Sequence, residues 1–486
     1  MTVLRATVLH TPDAQTLDVL DDHLIEVDAA GRIGSVRPAD DATPVDVSLP
    51  EGTVLVPGFV DTHLHAPQWP QLGTALDLPL DQWLFEYTFP LESRYDDLDL
   101  ATRVWDHMVP SLLRLGTTTV TYYGSIHEPA TVALAETCVR HGQRAFVGRC
   151  AMDHPEGTPP SYRDPSATAS VDASARSIEA IRSLAGAAGL VEPIVTPRFV
   201  PACTDAALTG LAELAAATGT LVQTHCSEGD WEHGHVLERC GVTDTHALDG
   251  FGLLRDHTVL AHATHLDDGD RRLIASRGAG VAHCPLSNVY FADRAFSARK
   301  ALDAGVRVGL GTDVAGGPSA SLLAQCGHAV AASQRLVDEG DPSARIDTTA
   351  AFWMATAGGA ELLGVDAGVI EPDAGSMPLR SDCPTSRSTR APGRAASSDS
   401  CAWRTPATSP PCGSPDVRSS ERPNRAWRPT LPPDRIGRCP PLARRRRPRR
   451  RTTGGGRPLL DAAGRRNRLL GRPRASTSSL TSPDRA

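Results

Sequence analysis

In TVLRATVLH, in DHLIEVDAAGRIGSV around a turn at Gly31, and in GTVLVP, apolar and polar positions alternate over short stretches. Alternation broken by turn residues predicts a small antiparallel β unit over residues 1–56. From Val54 the pattern changes to short, continuously apolar runs: VLVPGFVDTHLH, GTTTVTYYGS, RAFVGRCAMD, PIVTPRFVPA, GTLVQTHCSE, HTVLAHATHL, GAGVAHCPLSN and VRVGLGTD. Ala- and Leu-rich stretches such as DAALTGLAELAAATG separate most of them, and ASLLAQCGHAVAASQRLVDEG follows the last. Eight buried-type strands with helical spacers predict an α/β fold, a (β/α)₈ TIM-type barrel, over residues 57–376.

Charge then divides the chain. The 486 residues carry Lys+Arg 49 and Asp+Glu 57, a net of −8. Residues 377–486 hold 25 Arg against 7 Asp+Glu, a net of +18, so residues 1–376 carry −26. The same tail holds 17 of the 39 prolines. One fold running from end to end is excluded by that break, and an Arg-, Pro- and Ser-rich segment with few aliphatic residues predicts disorder over 377–486. No apolar run approaches the ~20 residues that span a bilayer, and the N-terminus lacks a charged-then-apolar leader. A cytoplasmic protein with no membrane partner is the expectation. The 11 cysteines form no CxxC pair and read as free thiols.

Several of the runs end in chemistry. His63 and His65 close the first, and residues two apart on a strand share a face. His225 ends the fifth with Glu228 just beyond, His262 ends the sixth and Asp313 the eighth. Each has an ordinary reading: half-buried histidines, a helix-start carboxylate, a helix cap. A barrel, however, gathers its strand ends at one mouth. Nitrogen and carboxylate donors without a thiolate suit a catalytic zinc ion.

PGFVDTHLH, THCSE, LAHATHL, HCPLSN and GLGTDVAGG together resemble the amidohydrolase superfamily. The block PGFVDTHLHAPQWPQLGTALDLPLDQWLFEYTFPLESRY, with TPRF at 196–199 and GTDVAGG at 311–317, is similar to its guanine deaminase family. The resemblance covers residues 1–375 or so. It implies one Zn²⁺ per chain held by His63, His65, His225 and Asp313, with His262 bonding the metal's water or the substrate and Glu228 shuttling protons. Gln68 and the Arg198-Phe199 pair match purine-contacting positions, and guanine is the implied substrate, with homodimers frequent in the family. Without the resemblance, Gln68 reads as a loop residue, Arg198 as half of a surface ion pair and Phe199 as core. The rival substrates are another purine, a pterin or a triazine. A binuclear hydrolase of the carboxylated-lysine type is excluded, because the sole lysine, Lys300, sits in the helical stretch SARKALDAG. His283 reads equally as a group behind the site or as a plain strand residue. The sequence VYFADRAF after Asn288 departs from the family's Gly-rich loop.

Members of the superfamily return to the small β unit after the barrel, and VIEPDA at 369–374 begins such a return before the composition breaks. RRRRPRRR could serve nucleic acid, but no fold or aromatic interleaving supports a specific nucleic-acid partner. Reading Ala402–Ser420 from each third base allows VENAGDVAAVWVAGRQVV. Thr408, Gly413 and Arg418 each precede Ser, so a TCN serine codon forces an apolar residue in the shifted frame. A frameshift near 374–380 is therefore expected, leaving the β-sandwich of the small domain incomplete. The reading of a different class is an inactive product of that damaged gene.

Overall fold

The computed structural model describes residues 1–50, 52–187, 189–292 and 294–372, and the backbone of 402–404. The expectations for 377–486 lie outside the described residues except at 402–404, where a short strand stands in place of the predicted disorder.

The alternating N-terminal segment forms β1 (Thr2–His10), β2 (Asp18–Val27), β3 (Ile33–Pro38), β4 (Val47–Ser48) and β5 (Thr53–Leu55). β1 pairs antiparallel with β2, and β2 with β3, while β4 and β5 lie parallel to β1. The sheet is thus mixed rather than purely antiparallel. Alternation puts Leu4, Ala6 and Val8 of β1 on one buried face with Ile25, Val27, Leu55 and Ile370. The strand at 402–404 pairs antiparallel with β5.

The eight apolar runs become β6 (Phe59–His65), β7 (Thr117–Tyr123), β8 (Arg144–Gly148), then after the two-residue β9 (Cys150–Ala151), β10 (Val191–Pro197), β11 (Leu221–Cys226), β12 (Val259–His262), β13 (Gly280–His283) and β14 (Arg307–Leu310). They pair in parallel in sequence order from β6 to β14. Nearly every strand residue is buried, as the unbroken apolar runs require. Several of the intervening helices begin on side-chain caps. Asp97 accepts from Asp99 N and Leu100 N, and Asp267 and Asp270 form a capping box. No helix among the described residues is long and apolar enough to cross a membrane.

β6 and β14 close the ring through irregular bonds rather than a ladder. Thr62 Oγ1 donates to Leu310 O at 2.8 Å, Asp313 N to His63 O at 2.9 Å and His65 N to Val314 O at 3.1 Å. The fully buried Asp61 carboxylate accepts from Thr312 Oγ1 at 2.6 Å, Thr312 N at 3.0 Å and His63 N at 3.3 Å. The strands approach so closely here that a Cβ on Gly311 would lie 2.8 Å from that of His63.

Asp61→Ala removes the acceptor for three buried donors. Each orphaned donor costs on the order of 1–3 kcal/mol, so the variant is expected to lose about 3 kcal/mol of stability or more and to melt lower, with Asp61→Asn losing less. Thermal and urea melts measure both, and an Asp61→Ala chain as stable as wild type would show that this latch does not close the barrel.

Candidate active site

The C-terminal ends of the barrel strands bring the predicted residues together. His63 and His65 project from the same side of β6, His225 from β11 and His262 from the last position of β12, while Glu228 and Asp313 sit just past β11 and β14. The chain turns sharply at these ends: Ser227 (φ 44°), His262 (70°), Ala263 (50°) and Asp313 (46°) are non-glycine residues in the left-handed region. Such positions are strained by on the order of 1 kcal/mol each and cluster at functional sites.

The ligand atoms of His63, His65 and His225 lie within 4.8 Å of one another, as do those of His225, Glu228 and His262. His65 Nε2 is 3.0 Å from His225 Nε2. His63 Nε2 approaches Asp313 Oδ1 at 3.2 Å, His65 Nε2 approaches it at 3.7 Å, and His262 Nε2 lies 3.7 Å from Glu228 and 3.9 Å from Asp313. His225 Nδ1 donates to Arg198 O at 2.5 Å and His262 Nδ1 to Asn288 Oδ1 at 3.0 Å, which leaves both Nε2 lone pairs facing the centre. Second nitrogens anchored in this way are the usual companions of metal-bound imidazoles. Burial pushes all four imidazoles towards the neutral form, the form that binds a cation.

The residues fit a metal ion on a direct observation. The ring nitrogens of His63 and Nε2 of His262 are buried with no hydrogen-bond partner, beside carboxylates. Buried polar atoms are rarely left so, and a cation at this cluster would take up one of the two His63 nitrogens. Cys284 also comes within reach of His63 and His262, and in the metal-free site burial drives its thiol well up.

Glu228 is buried beside Asp313. Desolvation and the neighbouring carboxylate both raise its pKa well above the ordinary range, which keeps the proton on. Its turn is held from behind by two further buried acids: Glu232 Oε2 accepts from Glu228 N at 2.7 Å, and Asp244 Oδ1 from Ser227 N at 3.1 Å. A cavity of about 400 Å³ opens above, and its lining includes His65, Gln68, Arg198, Phe199, Glu228 and Asp313. Trp83 and Phe291, whose ring centroids are 4.9 Å apart, belong to the same lining. Phe291 belongs to a π-helical turn, Asn288–Ala292, formed by the unusual segment after the seventh strand.

The ordinary readings of Gln68 and Arg198 fail. Gln68 is 1% exposed rather than a loop surface residue, and Arg198 is 2% exposed, its ion pair lying in the interior. The partner is Glu92, which sequence reasoning passed over. Arg198 Nη1 and Nη2 donate to its two oxygens at 2.6 and 3.2 Å, and Gln68 Nε2 donates at 2.9 Å. The guanidinium lies 5.0 Å from the centre of the Phe89 ring. The available signal was a lone acid inside the otherwise apolar TFPLE. Asn288 and Glu232 were missed as well. His283 is buried with Nδ1 unpartnered, 5.2 Å from the Phe296 ring, and burial lowers its pKa to about 3.

Residues 54–374 match the model of the amidohydrolase family. The chain is 41% identical over 312 residues to a probable guanine deaminase of Schizosaccharomyces pombe, a match covering 64% of this chain and 59% of the yeast protein. It is 34% identical over 384 residues to the guanine deaminase of Dictyostelium discoideum, covering 75% and 84% respectively. The crystal structure of guanine deaminase from C. acetobutylicum with guanine in its active site superposes with a TM-score of 0.72 at 28% identity, over 77% of this chain and 89% of that one.

If His65 and His225 hold a metal ion, His65→Ala and His225→Ala should each lose most of the metal found in the purified wild-type protein. Elemental analysis measures this, and full retention in both variants would remove them from the metal site.

Proposed function

The chain belongs to the amidohydrolase family, and we propose that it is a zinc-dependent guanine deaminase, hydrolysing the C2–amino bond of guanine to xanthine and ammonia. The observation that carries this is the meeting, on one small cavity, of the histidine and carboxylate cluster with Arg198, Gln68 and Phe199. Guanine deaminases among its relatives support it.

His63, His65, His225 and Asp313 would hold one zinc ion. When bound, it supplies Lewis acidity that lowers the pKa of water towards ~7. Asp313 takes a proton from the water as its oxygen bonds to C2. His262 stands between Asp313 and Glu228 and hydrogen-bonds the incoming oxygen. Glu228, protonated in its dry setting, gives its proton to the ring nitrogen beside C2, then takes over the proton that Asp313 received and passes it to the amino group; ammonia leaves as the C2–N bond breaks, and the proton of the C2 hydroxyl returns to Glu228. Phe199 lies against the base, and Trp83 and Phe291 exclude water above it. Arg198 and Gln68 offer N–H groups to the ring carbonyl, which adenine lacks. Nothing in this chemistry calls for nucleic acid or a membrane.

Ammonia release from a panel of purines, pyrimidines, pterins and triazines tests the substrate. Guanine is expected to rank first, with adenine and cytosine far behind. A triazine or pterin ranking above guanine would favour the rival aminohydrolase.

Glu228→Gln keeps the hydrogen-bonding shape but carries no proton. It should retain full metal content and lose ~10²–10⁴-fold in kcat, the usual contribution of general acid–base help. Near-normal turnover in a metal-replete variant would exclude Glu228 as the proton carrier.

A further inference from the structure

Glu92 touches none of the metal-site residues, yet it organises the opposite wall of the cavity. It is fully buried, and its two oxygens collect three donors, two from Arg198 and one from Gln68. Gln68 is pinned at both ends by groups of opposite kind. Its amino end faces the Glu92 carboxylate, and its carbonyl accepts from Ala315 N at 3.0 Å. An ionised carboxylate only accepts and a backbone N–H only donates, so the amide cannot turn over. Arg198 Nη1 also donates to Met152 Sδ at 4.0 Å, so what the pair has left to present to the cavity is N–H: the guanidinium hydrogens not taken by Glu92 and Met152, and the second hydrogen of the Gln68 amide.

We propose that Glu92 is the specificity-determining positioning residue of this site: by fixing the Arg198 fork and the Gln68 amide together, it makes a donor-only wall that accepts a 6-oxopurine and rejects a 6-aminopurine. The proposal rests on the guanine reading above and adds the residue that enforces it. Guanine offers O6 and N7 as adjacent acceptors, which the N–H groups that Arg198 and Gln68 have left can meet. In 2,6-diaminopurine the oxygen is replaced by an amino donor, so donor faces donor in a buried site, where unmade bonds are costly. The same 2-amino group leaves from both purines, and although N1 is protonated only in guanine, that intrinsic difference cancels when the preference of a Glu92 variant is compared with that of wild type.

The test is steady-state kinetics of the metal-loaded enzyme on guanine and 2,6-diaminopurine, for wild type, Glu92→Gln and Glu92→Asp. Wild type should prefer guanine by ~10²-fold or more in kcat/KM. Glu92→Gln lets the Gln68 amide turn and frees the fork, so the preference should fall at least ~10-fold, chiefly through KM for guanine, with metal content unchanged. Glu92→Asp keeps the charge but is one methylene short of both partners, and should fall between the two. Equal losses on both purines with the preference intact would assign Glu92 a merely structural role and overturn the proposal. Glu92→Gln leaves Arg198 without its counter-charge, and if it does not fold, Glu92→Asp is judged by the same criterion. If neither is soluble, a wild-type preference below ~10-fold overturns the donor-only wall, and one of ~10²-fold upholds it. A wild type active on guanine whose variants keep their preference sinks this inference alone, whereas a wild type inactive on guanine sinks the parent reading and this one with it.

Discussion

Closing the barrel sets the first strand beside the last, and the candidate chemistry sits at that seam. His63 and His65 come from β6 and Asp313 from the end of β14, 248 positions further along the chain than His65. The two elements meet through the Asp61 carboxylate, the Thr62 hydroxyl and crossed backbone bonds. Those bonds hold the backbone of the candidate ligand residues themselves: Asp313 N donates to His63 O and His65 N to Val314 O. Barrel closure and the distances between imidazoles and carboxylate are therefore one constraint. A slip of β6 against β14 by one residue would also turn both histidines to the other face.

The site concentrates what folding ordinarily avoids. Four imidazoles, the acids Glu228, Asp313 and Glu92, and the Arg198 guanidinium are all nearly or fully removed from water. Replacing a buried ion pair by apolar residues often leaves stability unchanged or raises it, so Arg198–Glu92 is poorly explained as a stabilising device. Its geometry explains it better, since Glu92 fixes Arg198 and Gln68, two donors that line a cavity. The left-handed turns at Ser227, His262 and Asp313 add backbone strain at the same rim. Opposing that strain, Glu232 and Asp244 accept the N–H groups of consecutive residues, and Thr264 Oγ1 donates to Ser227 O and Glu228 O at 2.9 and 3.0 Å. The support is spent on the two residues whose placement sets the Glu228 carboxyl.

The barrel and the histidine cluster were legible because each is written locally. A buried parallel strand is a short apolar run, and a residue at its C-terminal end lies at the mouth of the barrel whatever the rest of the chain does. His63, His65, His225, His262 and Asp313 needed only their position at the end of a run. Glu92 could not be read in that way. It sits in a helical turn of one excursion above the barrel, and its partner Arg198 is 106 residues away on another. Nothing local distinguishes it from a helix acid. Asn288, which sets the ring nitrogen that His262 turns inward, is 26 residues from its partner and belongs to a segment with no strand-like pattern. The mixed rather than antiparallel small sheet was missed for a related reason: alternation reports which face is buried, whereas strand direction depends on how the connections run.

Size alone would put the site elsewhere. A cavity of about 940 Å³ lies between the small sheet and the barrel, lined largely by aliphatic residues including Leu4, Ile25, Leu55, Leu190 and Ile370. The candidate site is less than half as large. The larger space faces apolar side chains of the sheet and the backs of the barrel strands, with Arg144 as its only arginine among the described residues. Among the described residues it lacks any set of groups able to move a proton or hold a cation in concert. The smaller one holds an acid kept protonated beside an acid able to stay ionised, neutral imidazoles with free lone pairs, and a wall of fixed donors. Catalysis needs groups of unlike protonation state at adjacent positions. That requirement locates the chemistry at the C-terminal mouth of the barrel and leaves the larger cavity to the packing of the small sheet.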